Sequence, residues 1–263
     1  MAIADDLRAA LRALRRGGSF TWAAVVMLAL GVGATTAMFS VVNGVLLRPL
    51  ALRQPGQLFM LGQRVPQITA TPDFNWFASP PEFQAWQREA TDFSAITELQ
   101  SSTFTLAGSG TPRLLYGAKV STNFFNVLDV PVALGRNFAP ADQHDTTRPM
   151  VITDQLWRSV FGADPGVLGR SVGLGSAGAT IIGVLPPWFE IKGRELGPML
   201  DGAQTQYFVP LVIPPQQLAS ADVMTNFNYT VIGRLRPGAT REQALAQLNV
   251  IEARLVSNAK VNL

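Results

Sequence analysis

The chain's one histidine, His144, lies in ADQHDTTRP, close to the carboxylates of Asp142 and Asp145. A metal site is the chemistry such a trio could support. One imidazole with two loop carboxylates fixes no ligand geometry for zinc or calcium, and we read the segment as a solvated surface loop. Other chemistries lack their residues. With no cysteine, thiol nucleophiles, disulfides and cysteine zinc sites are excluded. No G-x-S-x-G elbow and no G-x-x-x-x-G-K-[ST] loop occurs, so a serine hydrolase and a nucleotide-binding Walker loop lack their signatures. GVGATTA from Gly31 has part of a dinucleotide fingerprint but sits inside an apolar run. Asp5 and Asp6 are merely adjacent, and no acid/base pair stands out. No catalytic, metal or cofactor residue is assigned, and the chain is read as no enzyme.

That apolar run dominates the rest of the reading. The chain is 48% hydrophobic and only 15% charged, against about 25% charged in an ordinary soluble domain. Mean hydropathy is +0.20. From Gly17 to Leu47 no residue is charged. A helix needs about 20 apolar residues to cross a hydrocarbon layer of ~30 Å, so residues 19–47 are expected to span a membrane. A cleaved signal peptide would have a shorter apolar stretch, about 7–15 residues. Small residues recur at spacings of four: Ala29, Gly33, Ala37, and Thr36, Ser40, Gly44. Such rows let a second helix approach closely. The expected packing residues are therefore Ala29, Gly33, Ala37, Ser40 and Gly44.

Residues 1–18 read as a cytoplasmic amphipathic helix. Leu7, Leu11 and Leu14 fall on one face, and Arg8, Arg12 and Arg15 on the other, a pattern suited to a membrane interface. With Arg16 these arginines face anionic lipid. The positive flank puts the N terminus in the cytoplasm and the remainder outside it, which in a Gram-negative cell is the periplasm. The sequence pI of 9.7 does not imply nucleic acid, because beyond the N-terminal arginines the charges nearly balance and no basic stripe forms.

After the span, short strands alternate with helices, an α+β pattern. Residues 57–63 read as a strand. Ser79, Pro80 and Glu82 give a capping box with proline at the first helical position, opening a helix to about Ala90 with Phe83 and Trp86 inward. Residues 103–106 and 113–120 read as strands. Ser121 is expected to cap a helix bearing Phe124, Phe125 and Leu128. Thr153 or Asp154 caps another, ended by Gly162. Residues 178–185, 207–211 and 229–235 read as strands. Thr240 and Gln243 open a last helix to Ser257, with Leu245, Leu248, Ile251 and Leu255 as its buried stripe.

Three stretches carry a family resemblance. They are YGAKVSTNFFNVLDVPVALGRNF from Tyr116, PMVITDQLWRSVFGADPGVLGRSVGLGSAGATIIGVLPPWFE from Pro149, and YTVIGRLRPGATREQALAQLNVIEARL from Tyr229. With the arginine-rich start and the apolar run, they resemble the MacB-like periplasmic core domain of FtsX-like ABC transporter permeases. SPPEFQAWQREATDFSAI from Ser79 is similar to the branch common in acidobacteria. The resemblance implies two extracytoplasmic subdomains: a porter-like one from residues 48–115 and 225–263, and an inserted one from 116–224. It implies a non-enzymatic permease that couples ATP hydrolysis on an ABC ATP-binding subunit to extracytoplasmic movement, in efflux or related envelope work. It also implies partner permease helices or a second permease copy, and a periplasmic adaptor. Family members carry three further membrane helices, expected here after Leu263. The alternative is a membrane-anchored extracytoplasmic protein that binds a lipid or peptide.

Overall fold

The computed structural model describes residues 18–42, 52–62, 77–107, 112–174, 177–189, 191, 204–218 and 226–258. The expected basic residues Arg8, Arg12, Arg15 and Arg16 lie outside them, as does Gly44. The chain divides into two units, 1–49 and 50–263. The first contains one described element, helix α1 (Gly18–Val42). Its exposed surface is apolar, with Trp22, Met27, Leu30 and Phe39 outward. The hydroxyls of Thr35 and Thr36 turn back onto the helix, donating to the carbonyls of Gly31 (2.9 Å) and Val32 (2.7 Å). Among the described residues no helix is long and apolar enough to cross a membrane. The described side chains of α1 run without a break only from Val25 to Phe39.

In the second unit a 3-10 turn (Pro55–Gln57) precedes strand β1 (Leu58–Leu61). Helix α2 (Pro80–Glu89) follows. Its cap forms as a variant of the expected box. The Glu82 carboxylate accepts the Ser79 backbone N–H at 2.5 Å, and the Ser79 hydroxyl donates to that carboxylate at 2.8 Å. Next come β2 (Phe93–Ala107) and β3 (Arg113–Val120), then helix α3 (Phe124–Leu128). Asn123, not Ser121, is the N-cap of α3. The Ser121 hydroxyl instead accepts the Glu98 N–H at 3.1 Å, because a strand neighbour competes for it. Strands β4 (Leu134–Gly135) and β5 (Pro149–Ile152) lead to helix α4 (Asp154–Phe161). Here Thr153 accepts the Leu156 N–H, and Gly162 closes the helix at φ 64°, a left-handed conformation that glycine adopts without strain. Strands β6 (Ser171–Leu174), β7 (Ala177–Val184) and β8 (Tyr207–Pro210) follow, then helix α5 (Pro215–Leu218). Strand β9 (Thr230–Leu235) and helix α6 (Arg241–Asn258) end the described chain.

The strands form one nine-stranded sheet in the order β1-β9-β2-β3-β8-β5-β7-β4, with β6 pairing both β2 and β7. The pairings β2–β3–β8–β5–β7–β6–β2 therefore close a ring. Strand β2, 15 residues long, serves two partners on one edge: β9 along Phe93–Leu99 and β6 at Leu106–Ala107. Side chains alternate across a strand. Ile96 and Glu98 face one side with Val231, while Thr97 and Leu99 face the other with Ile232.

Three cores result. The first lies under α2 and α6 and includes Phe83, Trp86, Ile96, Val231, Leu248 and Ile251. The second fills the ring with Leu115, Met150, Ile152, Ile181 and Tyr207, closed by Leu156 and Phe161 of α4. The third, on the opposite sheet face, centres on Phe125, whose ring lies 5.1–6.1 Å from those of Phe124, Phe138, Phe189 and Phe208. Leu245 is corrected: it is exposed, and Ala244 takes its place in the stripe with Leu248 and Ile251. Thr240 and Gln243 do form their box, with reciprocal bonds of 3.0 and 3.2 Å.

The parallel β3–β8 pairing sets Gly117 opposite Tyr207. A Cβ on Gly117 would overlap the Tyr207 ring and lie 2.5 Å from its carbonyl oxygen. Neither strand can retreat without breaking the ring. We predict that Gly117→Ala destabilises the second unit by about 1–3 kcal/mol through overpacking. Urea unfolding checks this, and an unchanged midpoint would contradict the packing described.

Candidate functional site

The geometry concentrates where the chain enters the sheet. Leu52 is buried in the phenylalanine-rich core. Gln54 takes a left-handed conformation, φ 50°, before the 3-10 turn delivers the chain to β1. The register pairs Leu58 with Arg234 of β9. From there the half-buried Arg234 holds two segments together. Its Nε–H donates to the Val127 carbonyl at 2.7 Å, and both terminal nitrogens donate to the Arg53 carbonyl at 3.3 Å. Hydrogen bonds from a charged donor contribute about 1.5–3 kcal/mol. The Arg53 side chain also lies 3.5 Å from Asp129, but both groups are mostly exposed and such pairs contribute little. Arg234 is therefore the main tie between the entering chain and α3. A groove of about 600 Å³ opens beside it, lined by Arg53, Asp129, Arg136 and Trp188.

One wall of that groove is fixed by a second arginine. Arg136 grips the buried Asp142 through two bonds, 2.6 and 2.9 Å, and Asp142 also accepts the Ala139 N–H at 2.8 Å. The Arg136 hydrogen bond holds the Asp142 carboxyl below the usual carboxylate range. Asp142 is thus committed to shaping its loop rather than facing His144. Among the described residues no cluster of His, Asp or Glu is placed to hold a metal.

The packing residues expected on α1 are placed in part. Ala29, Gly33 and Ala37 are exposed, and a Cβ at Gly33 would meet nothing within 4 Å. The side chain of Ser40 lies outside the described residues.

Sequence reasoning missed the buried carboxyls. Glu98 of β2 is 5% exposed, and among the described residues its Oε2 has no partner. Burial pushes its pKa up to about 8. Glu252 of α6 is raised to about 7, again by burial, with a Trp86 hydrogen bond acting the other way. A signal was present, since Glu98 is the one charged residue between Asp92 and Arg113.

With this geometry established, comparison with known proteins places the chain. The family described as MacB-like periplasmic core domain matches residues 21–251. The chain belongs to that family. MacB-like domains are the extracytoplasmic parts of ABC transporter permeases, and that is the class of component this chain represents. No curated protein matches it. Among solved structures, a permease-protein domain from Porphyromonas gingivalis is 17% identical with a TM-score of 0.51, covering 75% of this chain and 81% of that one. The periplasmic region of MacB from Actinobacillus actinomycetemcomitans is 13% identical with a TM-score of 0.51, covering 76% and 83%. At these identities the likeness is one of fold.

For this MacB-like domain the raised carboxyls set a pH dependence. Glu98 keeps its proton when folded and loses it when unfolded, once pH exceeds the ordinary value of 4.5. The unfolded state then binds fewer protons, so stability falls as pH rises toward about 8. The slope is on the order of 1 kcal/mol per pH unit for one such group. We predict that Glu98→Gln leaves stability near pH 5 almost unchanged and raises it above about pH 7. Denaturant midpoints across this range check it; parallel pH profiles for the two proteins would contradict it.

Proposed function

We propose that the chain is the first membrane span and extracytoplasmic core of a non-enzymatic ABC transporter permease. In this reading it anchors in the bacterial inner membrane with its N terminus in the cytoplasm and its bulk in the periplasm. Movement driven by ATP hydrolysis on a partner ABC ATP-binding subunit reaches the extracytoplasmic region and serves efflux or related envelope work. The observation that carries the reading is the family match over residues 21–251. The uncharged run from Gly17 to Leu47 and the inward-turned hydroxyls of α1 support the span, because polar groups in hydrocarbon must find partners within their own helix.

Further permease helices, or a second permease copy, pack against the row of Ala29, Gly33, Ala37, Ser40 and Gly44. Arg8, Arg12, Arg15 and Arg16 meet anionic lipid on the cytoplasmic side. A periplasmic adaptor is the remaining partner. The porter-like part is assigned to 48–115 and 225–263, and the inserted part to 116–224. Two of the three cores favour this division. The core beneath α2 and α6 draws only on the first set, and the ring core draws on the second apart from Phe104, Leu106 and Leu115. The phenylalanine-rich core joins the two parts, with Leu52, Leu99 and Ile232 from the first set. Tyr116 sits mid-strand with its neighbours paired on both sides, so the parts meet through sheet rather than a loop. Arg234 supplies the route by which displacement of the entering chain reaches the sheet and α3.

Reporter fusions test the topology. A reporter active only outside the cytoplasm, joined after Leu263, is expected to be active. A cytoplasm-only reporter at the same point is expected to be silent, and the opposite pattern would remove the proposal's basis.

A further inference from the structure

The guanidinium groups of the extracytoplasmic region fall into two sets. In the first, each has a built-in acceptor. Arg53 pairs with Asp129, Arg136 with Asp142, Arg158 with Asp154, and Arg254 with Glu89. Arg234 is taken up by main-chain carbonyls. Arg88 and Arg236 belong to the second set. Among the described residues neither has a carboxylate within ion-pair distance. Arg88 uses only its Nε–H, on the Gln84 carbonyl at 3.1 Å.

These two arginines line the same recess, of about 260 Å³, between the end of α2, the start of β2 and the turn after β9. Position in the fold explains the convergence. Arg88 occupies the last turn of α2, where a cation also complements the negative helix end. Arg236 follows β9, and its N–H donates to the Asp92 carbonyl at 2.9 Å, which fixes it beside the start of β2. Gln87, Thr91 and Ser94 add neutral polar groups, and among the described residues no carboxylate lines the recess. All five of these side chains are exposed.

Two other recesses among the described residues differ in this respect. In those of about 370 and 600 Å³, every lining arginine has its carboxylate: Asp154 for Arg158, Asp129 for Arg53 and Asp142 for Arg136. Two arginines opening on one recess offer an anion positive charge from two sides, with no lining carboxylate to compete for it. The guanidinium fork matches phosphate oxygens through paired hydrogen bonds.

We propose that this recess binds a phosphate-type oxyanion between Arg88 and Arg236, either free phosphate or the headgroup of a membrane lipid. Its polar mouth and headgroup-sized volume suit the oxyanion and leave acyl chains outside. The proposal stands apart from the transport reading, since it needs only the folded extracytoplasmic region.

The test uses the whole chain in nanodiscs of neutral lipid, titrated with inorganic phosphate against chloride at matched ionic strength. Binding is followed by phosphorus NMR and by the thermal midpoint, which a ligand of the native state raises. Wild type is expected to bind. Arg88→Gln and Arg236→Gln are each expected to weaken binding at least about tenfold, with unchanged midpoints in chloride. Arg113, which has no ion pair among the described residues and lies outside the recess, serves as control, and Arg113→Gln is expected to bind as wild type does. Adding phosphatidylglycerol to the discs separates the sources. Weakened phosphate binding assigns the site to a lipid headgroup, and unchanged binding assigns it to soluble phosphate. Absence of phosphate binding in wild type, or equal binding in both recess variants, overturns the proposal.

Discussion

Strand β2 has to satisfy three cores at once, and the rest of the extracytoplasmic region is arranged around that demand. Its first half gives Ile96 to the layer beneath α2 and α6, and Leu99 to the phenylalanine-rich core behind the sheet. Its second half gives Leu106 to the ring. A buried strand must pair its backbone groups on both edges. The partner therefore changes from β9 to β6 along one edge while β3 runs along the other. Each core contains side chains whose burial requires β2 to stay straight and paired. Glu98 sits near the middle of this strand, where solvation is least available. A protonated carboxyl is tolerated there, and an ionised one opposes folding.

Charge elsewhere is handled by pairing rather than burial alone. Asp142 is kept ionised inside its loop by Arg136, and this sets the wall of the groove beside the entering chain. Arg234 reaches carbonyls of two segments far apart in sequence, which lets one side chain tie β9, α3 and residue 53 together. In a MacB-like domain that arrangement makes the entry segment part of the core rather than a free tether.

The elements that were legible in the sequence are those whose signals are local. Ser79, Pro80 and Glu82 located α2 because a cap acts within one turn. Thr153 with Gly162, and Thr240 with Gln243, located α4 and α6 for the same reason. Strands carry less local information. Residues 149–152 carry no strand signal of their own, because four apolar residues in a row have no periodicity to read. Sequence alternation marks strand β2 only at 103–106, since Ser101, Thr103 and Thr105 face outward while Ile96–Leu99 are buried on both faces. Closure of the ring through β6 depends on pairing across long sequence separations, which no local pattern records. The spacing of Leu245 fits the stripe, yet Ala244 is the residue that joins the core beneath α2. Of the candidate site, the arginines were visible as residue types. Their division into paired and unpaired sets depended on which loops the fold brings together.

The central claim is that β2 makes the two halves of the extracytoplasmic region one cooperative structure. Native-state amide hydrogen exchange along β2 tests it most directly, because each amide reports the opening free energy of its own surroundings. The account predicts that amides at Ile96–Leu99, beneath α2 and α6, and at Phe104–Leu106, in the ring, share one highest opening free energy and lose protection together as denaturant is added. Two distinct opening free energies, with one half exchanging while the other stays protected, would contradict it.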